Sequence, residues 1–210
     1  CLGFFGVTTH IALPRPQGEV YPPHHLNLAL EFAIDNPHIR HIALTGRFQQ
    51  YHDDVSEAKI FTTDAQGQTL SGNPQVFRHA LDHTLARLVA SGKHIVFIWD
   101  NPDTLFDPKE CIELPALRSQ QPIKNPCATS RSSIEQRHSA YRATALTVLA
   151  KYPTVQVFDP FNALCDATLC WAARGPDILY RDTDHLSLQG SRLIATTLAP
   201  YLTPAASAGR

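Results

Sequence analysis

Three short runs of β-branched and aromatic residues, each preceded by an amphipathic helical pattern, place the strongest constraint on how this chain folds. The runs cover residues 41–46, 94–100 and 154–160, and the helical patterns cover residues 25–34, 73–92 and 132–152. Asn73 and Gly92 are the expected cap and stop of the second pattern, and a fourth pattern follows His185 with Ser187 as its N-cap. This alternation predicts an α/β fold with a parallel sheet covered on both faces, a three-layer α/β/α sandwich of flavodoxin-like architecture.

The length and charge of the chain limit the number of its domains and the kinds of partner it can bind. We expect a single domain over residues 1–203 of the 210, with residues 204–210 as a flexible tail. A net charge of −1 argues against nucleic acid or an anionic membrane surface as a partner. No apolar run approaches the roughly 20 residues that a membrane helix needs. The chain opens at Cys1 in an apolar stretch and contains no methionine, so we expect further sequence upstream.

The spacing of the five cysteines indicates two local disulfides. Cys111 and Cys127 bracket a proline-rich loop, and Cys165 and Cys170 bracket a short polar one. No C-x-x-C pair is present, so a zinc site is a weak interpretation and we expect no metal. Disulfides imply an oxidising compartment, whereas reduced, buried cysteines would be the cytosolic alternative. Cys1 is left over, and it either pairs with a cysteine upstream or is a lipidated first residue.

Polar residues follow the predicted strands at their carboxyl ends. Gly46 and Arg47 follow the first strand, Asn101 follows the second and Asn162 follows the third. Ligands of parallel α/β sheets bind at this edge, which makes these residues candidates for contacts with a substrate. The connection over residues 100–131 is longer than ordinary, which predicts a lid or rim closed by the first cysteine pair.

Asp182 stands three residues before His185, directly ahead of the last predicted helix. A serine hydroxyl needs a neutral imidazole to take its proton, and a carboxylate on the other ring nitrogen fixes the tautomer. The pair alone also fits a turn that caps the helix beside a surface histidine. Asp35 and His38 have the same spacing but fall at the amino end of the first strand, away from the edge where ligands bind.

The residues around the pair favour the catalytic interpretation. The stretch "YRDTDHLSLQGSRLIA" closely resembles the C-terminal motif of SGNH-type esterases and acyltransferases, specifically the SGNH domain attached to acyltransferase-3 membrane proteins. "IRHIALTGRFQQY", "DNPDTLFDPKECIELP" and "VQVFDPFNALCDATLCWAARGPDILYRDTDHLS" are similar to further blocks of that family, in the same order. The resemblance covers most of the chain and implies the SGNH-hydrolase architecture.

The resemblance also implies roles for individual residues. His185 would be the general base and Asp182 its orienting carboxylate. Arg47, Gly46 and Asn101 would be candidates for oxyanion or substrate contacts. The nucleophile of the family is the serine of a Gly-Asp-Ser-His block, and this chain contains no Gly-Asp-Ser sequence. The resemblance places that block upstream of Cys1, so this piece alone is expected to be inactive.

The function that the resemblance implies is that of an extracytoplasmic O-acyltransferase domain. An acyl group, most simply acetyl, would pass from the acyltransferase-3 membrane domain through an acyl-serine to a cell-surface glycan such as a lipopolysaccharide. No cofactor would be required. The domain would lie in the periplasm, tethered to the inner membrane through upstream sequence.

Two alternatives remain open. A secreted SGNH carbohydrate esterase would differ only in what precedes Cys1. A non-catalytic module that binds a glycan or a partner would use its aromatic and polar residues as a sugar platform: Phe48, Tyr51, His52 and Trp171.

Overall fold

The structure is a computed structural model that describes residues 4–11, 19–21, 24–53, 58–63, 67–111 and 126–203. The chain forms two compact units. The first comprises Cys1–Asp100 with His138–Val157, and the second comprises Asn101–Arg137 with Phe158–Arg210. Our expectations for Cys1, for the loop over residues 112–125 and for the tail at 204–210 lie outside the described residues.

The first unit contains the predicted parallel strands and three of the predicted helical patterns. Its strands are β1 (Thr8–Ile11), β2 (Glu19–Tyr21), β3 (His41–Leu44), β4 (Ala58–Thr63), β5 (Thr69–Leu70) and β6 (His94–Ile98). Its helices are α1 (His24–Asp35), α2 (Phe48–His52) and α3 (Asn73–Ala90), and α4 (Arg131–Leu149) lies mostly within it. Strand β8 (Gln156–Phe158) follows α4 and completes a three-stranded sheet of order β3-β6-β8.

Strands β3 and β6 pair in parallel, with His41 opposite His94 and Leu44 opposite Phe97. Four of the five residues of β6 are buried, as expected for a parallel strand that is covered on both faces. The ring of Phe48 stacks on that of Phe97 with centroids 5.0 Å apart. Helix α3 adds a buried face whose apolar positions follow helical spacing: Val76, Phe77, Ala80, Leu81, Leu85 and Leu88. The prediction of an α/β fold with a parallel sheet is confirmed.

One local prediction in this unit is wrong. Helix α3 begins at Asn73 itself, and its N-cap position is Gly72, which has a positive φ of 90°. The side chain of Asn73 is used elsewhere, because it accepts a hydrogen bond from the amide of Ile60 and donates to the carbonyl of Asp53. Asn73 therefore ties strand β4 to the helix.

The second unit is built from short elements around the two disulfides. These elements are a 3₁₀ turn (Pro108–Cys111), β7 (Ala128–Ser130), α5 (Phe161–Leu164), β9 (Leu169–Trp171), β10 (Ala173–Arg174), β11 (Asp177–Ile178) and α6 (Leu188–Leu202). Both predicted cysteine pairs are joined, with S–S distances of 2.04 Å for Cys111–Cys127 and 2.08 Å for Cys165–Cys170. Among the described helices, none is both long and apolar enough to cross a membrane.

Candidate active site

The loop that carries Asp182 and His185 is closed at its base like a hairpin. Tyr180 and Leu186 form an isolated antiparallel bridge, and the amide of Arg181 donates to the carbonyl of His185 at 2.8 Å. Directly after the loop, the hydroxyl of Ser187 accepts a hydrogen bond from the amide of Gly190 and caps helix α6, as predicted. The loop therefore has fixed ends.

Within the loop, Asp182 organises its neighbours. Its Oδ1 atom accepts from the amide of His185 at 2.8 Å and from the amide of Asp184 at 3.2 Å. The Nδ1 atom of His185 lies 3.0 Å from both carboxylate oxygens of Asp182. The three-residue spacing thus produces a turn in which one carboxylate holds both the backbone and the ring of the histidine.

Asp182 is ionised at neutral pH. Burial alone would raise the pKa of its carboxyl group, but the amides of His185 and Asp184 and the adjacent imidazole outweigh burial and lower the pKa to about 2. An ionised carboxylate can only accept hydrogen bonds, so the proton of a neutral His185 ring must be on Nδ1. The lone pair of Nε2 is then available to take a proton from a substrate.

The imidazole of His185 is accessible to solvent, since the side chain is 62% exposed. Within the described part of the chain, the hydrogen bonds of the ring all involve Nδ1. A ring held at Nδ1 and open at Nε2 has the arrangement required of a general base.

Residues 102–104 support the loop that carries Asp182 and His185. The amide of Thr104 donates to the carbonyl of Thr183 at 2.9 Å. The hydroxyl of Thr104 donates to the carbonyl of Phe106 at 2.6 Å and lies 3.2 Å from that of Thr183. The hydroxyl of Thr129 donates to the carbonyl of Thr104. The phenol of Tyr180 donates to the carbonyl of Pro102 at 2.7 Å. Sequence reasoning missed this support, because a threonine that acts 79 residues from its partner leaves no local pattern.

Asp103 lies next to this support and affects the protonation of Tyr180. Asp103 is buried and forms an ion pair with Arg137 at 2.8 Å. Burial raises the pKa of the Tyr180 phenol well above its usual value, and the carboxylate of Asp103 raises it further. Tyr180 therefore remains protonated and donates its hydrogen bond at every physiological pH.

The other predicted contact residues are divided between the units. Gly46 and Arg47 lie in the first unit, between β3 and α2, and Asn101 begins the second. The carboxylate of Asp100 caps α2 by accepting from the amides of Phe48 and Gln49 at 3.0 and 2.9 Å. Asp100 thus anchors the residues that follow Arg47. The roles of Gly46, Arg47 and Asn101 stay predictions.

The aromatic platform suggested for a non-catalytic module does not exist as proposed. Phe48, Tyr51 and His52 are all buried, with exposed fractions of 0%, 6% and 7%. The indole of Trp171 is half-buried and donates to the carboxylate of Asp166 at 2.8 Å. Three of the four side chains therefore belong to the core and cannot present a face to a sugar.

Ser187, the serine nearest to the base in sequence, is already engaged. Its hydroxyl donates to the carbonyl of Ile178 at 2.6 Å while it accepts from Gly190. A hydroxyl held by both bonds is part of the helix cap. It does not serve as the nucleophile.

Asp182, Asp184 and His185 also present ligand atoms within 4.8 Å of one another, so these three residues could hold a cation. A cation on Nδ1 of His185 would displace the hydrogen bond to Asp182. The group is partly exposed, and the short turn already explains why its members lie together.

Comparison with known proteins supports the resemblance noted in the sequence. The sequence model of a family described as "SGNH domain (fused to AT3 domains)" matches residues 1–200. No curated protein matches the chain. The solved periplasmic domain of the lipopolysaccharide acetyltransferase of Salmonella ser. Paratyphi A is similar, with a TM-score of 0.53 and 13% identity. The match covers 95% of this chain and 68% of that one, and at this identity it establishes the fold alone.

Proposed function

The chain belongs to the family of SGNH domains that are fused to AT3 domains, and on that premise we propose that it is the extracytoplasmic domain of an O-acyltransferase. The acyl group, most simply acetyl, is transferred to a hydroxyl of a cell-surface glycan. The observation that carries this proposal is the pairing of His185 Nδ1 with both oxygens of Asp182, which leaves Nε2 open.

The proposed reaction has two steps that use the same base. In the first, a serine hydroxyl attacks the acyl carbonyl of the donor, its proton passes to Nε2 of His185, and the leaving group takes that proton. In the second, a glycan hydroxyl gives its proton to Nε2 and attacks the acyl-serine, and the serine recovers the proton as it leaves. Asp182 stabilises the imidazolium that forms in each step.

The nucleophile is proposed to come from sequence outside these 210 residues. The chain has no Gly-Asp-Ser sequence, and Ser187 is engaged in the cap of α6. Gly46, Arg47 and Asn101 remain our candidates for oxyanion or substrate contacts, on the basis of their positions at strand ends. The acyl donor is proposed to be delivered by the AT3 membrane domain.

The disulfides support a location outside the cytoplasm, because thiols are kept reduced inside it. The similar acetyltransferase domain is periplasmic. We propose that this domain lies in the periplasm and is tethered to the inner membrane through the rest of its protein.

Two alternatives can be distinguished by experiment. A secreted esterase would release the acyl group to water, and a non-catalytic module would keep its role without His185. The test measures acyl groups on the surface glycan by mass spectrometry in cells that carry the full-length protein with His185→Ala. His38→Ala is the matched control, because His38 also follows an aspartate by three residues. Unchanged acylation in the His185 variant would overturn the enzyme proposal.

A further inference from the structure

A cavity of about 320 Å³ lies in the second unit, and two of its lining residues, Leu179 and Gln189, flank the segment that carries Asp182 and His185. One wall is the hairpin of β10 and β11, and the other is the first two turns of α6. The residues that line it are Arg174, Asp177, Leu179, Gln189, Arg192 and Leu193. None of these residues has a role in the reaction described above.

The two walls are held at a fixed distance. The amide of Ser187 donates to the carbonyl of Leu179 at 2.8 Å, and the hydroxyl of Ser187 donates to that of Ile178. A side chain at Gly190 would bring its Cβ into a clash with the carbonyl oxygen of Leu179, so only glycine permits this approach. Backbone contacts therefore set the separation of the two walls.

The chemistry of the lining favours an anionic sugar. Arg174 and Arg192 are exposed residues of the lining, and within the described part of the chain neither guanidinium group has an ion-pair or hydrogen-bond partner. Leu179 is buried and supplies an apolar floor. Gln189 and Asp177 add amide and carboxylate groups that can bond to hydroxyls. Unpaired guanidiniums over an apolar floor suit a ring that carries a carboxylate or phosphate.

The position of the cavity connects it to the chemistry. The segment that carries the loop from Arg181 to His185 follows β11, which ends at Ile178, and precedes α6, which begins at Leu188. A glycan seated between these walls is thus bound by the same segments that hold the base. Such binding would orient the acceptor relative to the loop that carries His185.

We propose that this cavity is an acceptor subsite that binds a saccharide unit bearing a carboxylate or phosphate group. The proposal rests on the proposed function for its biological meaning, but binding itself requires neither the nucleophile nor the base. Arg174 and Arg192 bind the anionic group, and Leu179 and Leu193 contact the ring.

The test is an NMR titration of the 210-residue chain with glucuronate, glucose 6-phosphate, methyl glucoside and inorganic phosphate, following the arginine Nε–H and leucine methyl signals. We expect one of the two charged sugars to bind at least about tenfold more tightly than methyl glucoside, since charge-assisted hydrogen bonds are the stronger ones. The tighter of the two identifies the group. Equal binding of methyl glucoside would overturn the proposal, and so would phosphate that binds as tightly as glucose 6-phosphate.

Variants assign the binding to the cavity. Arg174→Gln and Arg192→Gln are each expected to weaken binding about tenfold or more, whereas Arg78→Gln, an exposed arginine of α3, should not change it. Asp177→Asn should tighten binding, because it removes a negative charge from the cavity and keeps a group that can bond to hydroxyls. Misfolding cannot produce such a gain. Binding that is insensitive to all three cavity variants would overturn the proposal.

One further variant separates this proposal from the proposed function. His185→Ala should retain the charged sugar while acyl transfer is lost. Retained binding with unaffected acylation would overturn the catalytic role and leave the subsite. If His185→Ala loses acylation but the unchanged chain binds no sugar, the catalytic role stands and the subsite is overturned.

Discussion

The Nδ1 atom of His185 lies 3.0 Å from each carboxylate oxygen of Asp182, and the amide of the same histidine donates to Oδ1 of that carboxylate at 2.8 Å. One side chain therefore fixes both the backbone and the ring of the proposed base. Because a neutral ring bonded to a carboxylate has its proton on Nδ1, this contact also determines which nitrogen acts as the base.

Asp182→Asn is expected to reduce acyl transfer on the order of 10³–10⁴-fold. The asparagine amide can still accept from the backbone, but it no longer stabilises an imidazolium or selects the Nδ1–H tautomer. The measurement is acylation of the glycan by the full-length protein, with Asp35→Asn as the matched control. Full activity in Asp182→Asn would show that the pair is only a helix-capping turn.

The ionisation of Asp182 predicts a direction for stability at low pH. Its pKa of about 2 in the folded chain lies below the ordinary value of 3.8 for an aspartate, so the ionised form is favoured by folding. The stabilisation is fully present above about pH 4 and is lost as the pH falls toward 2. Side-chain exposure of 40% keeps the effect small.

The measurement is the ¹³C chemical shift of the Asp182 carboxyl group against pH. In His185→Ala the midpoint should rise but stay below 3.8, because the amide hydrogen bonds remain. A midpoint near 4 in the unchanged chain would contradict the geometry of the turn.

Thr104 is expected to act as a positioning residue. Thr104→Val keeps the shape and the amide bond to Thr183 but removes the hydroxyl, which donates to the carbonyl of Phe106 at 2.6 Å and lies 3.2 Å from that of Thr183. We expect a loss of about 1 kcal/mol in the free energy of unfolding. We also expect reduced acyl transfer, with a changed pH profile that Thr104→Ser restores. A variant that loses stability while its pH profile stays unchanged would make Thr104 purely structural.

The parts of this fold that could be predicted are those encoded by nearby residues. Strands β3 and β6 were predicted because parallel strands that are covered on both faces are continuous apolar runs. Asp182 and His185 were predicted to pair because a three-residue turn brings them together. Short antiparallel strands such as β10 and β11, with two residues each, are too short to show a period.

The parts that could not be predicted depend on distant partners. The side chain of Asn73 was expected to cap its own helix, but it accepts a hydrogen bond from the amide of Ile60 instead. Thr104 acts on Thr183, which lies far along the chain. The cavity beside the loop likewise requires that Gly190 meet the backbone of Leu179, a contact that no local pattern encodes.

The two disulfides are expected to differ in their contribution to stability. Cys111–Cys127 spans 16 residues and Cys165–Cys170 spans 5, so the chain-entropy model gives roughly 3 and 2 kcal/mol, respectively. Replacing each pair by alanine and measuring unfolding in urea tests this order. A larger loss from the shorter bridge would show that packing around Cys165 and Cys170 outweighs loop entropy.

Gly190 should be the least replaceable residue of α6. Its missing side chain lets the helix approach the Leu179 carbonyl, which also accepts from the amide of Ser187. An alanine Cβ would clash with that oxygen, and because the atom it meets is backbone, the helix itself must move. We expect Gly190→Ala to lower the free energy of unfolding by about 1–3 kcal/mol or more, as for other overpacked sites.

Movement of helix α6 in Gly190→Ala should also affect function, because the cavity walls and the segment with His185 meet where Gly190 contacts Leu179. Gly190→Ala should weaken binding of the charged sugar in the cavity and reduce acyl transfer together. Ser191→Ala, at the next and exposed position of the same helix, is the matched control and should change neither. Thermal unfolding and the sugar titration, measured on both variants, test these expectations. Native stability in Gly190→Ala would mean that α6 is not held against Leu179 as the structure describes.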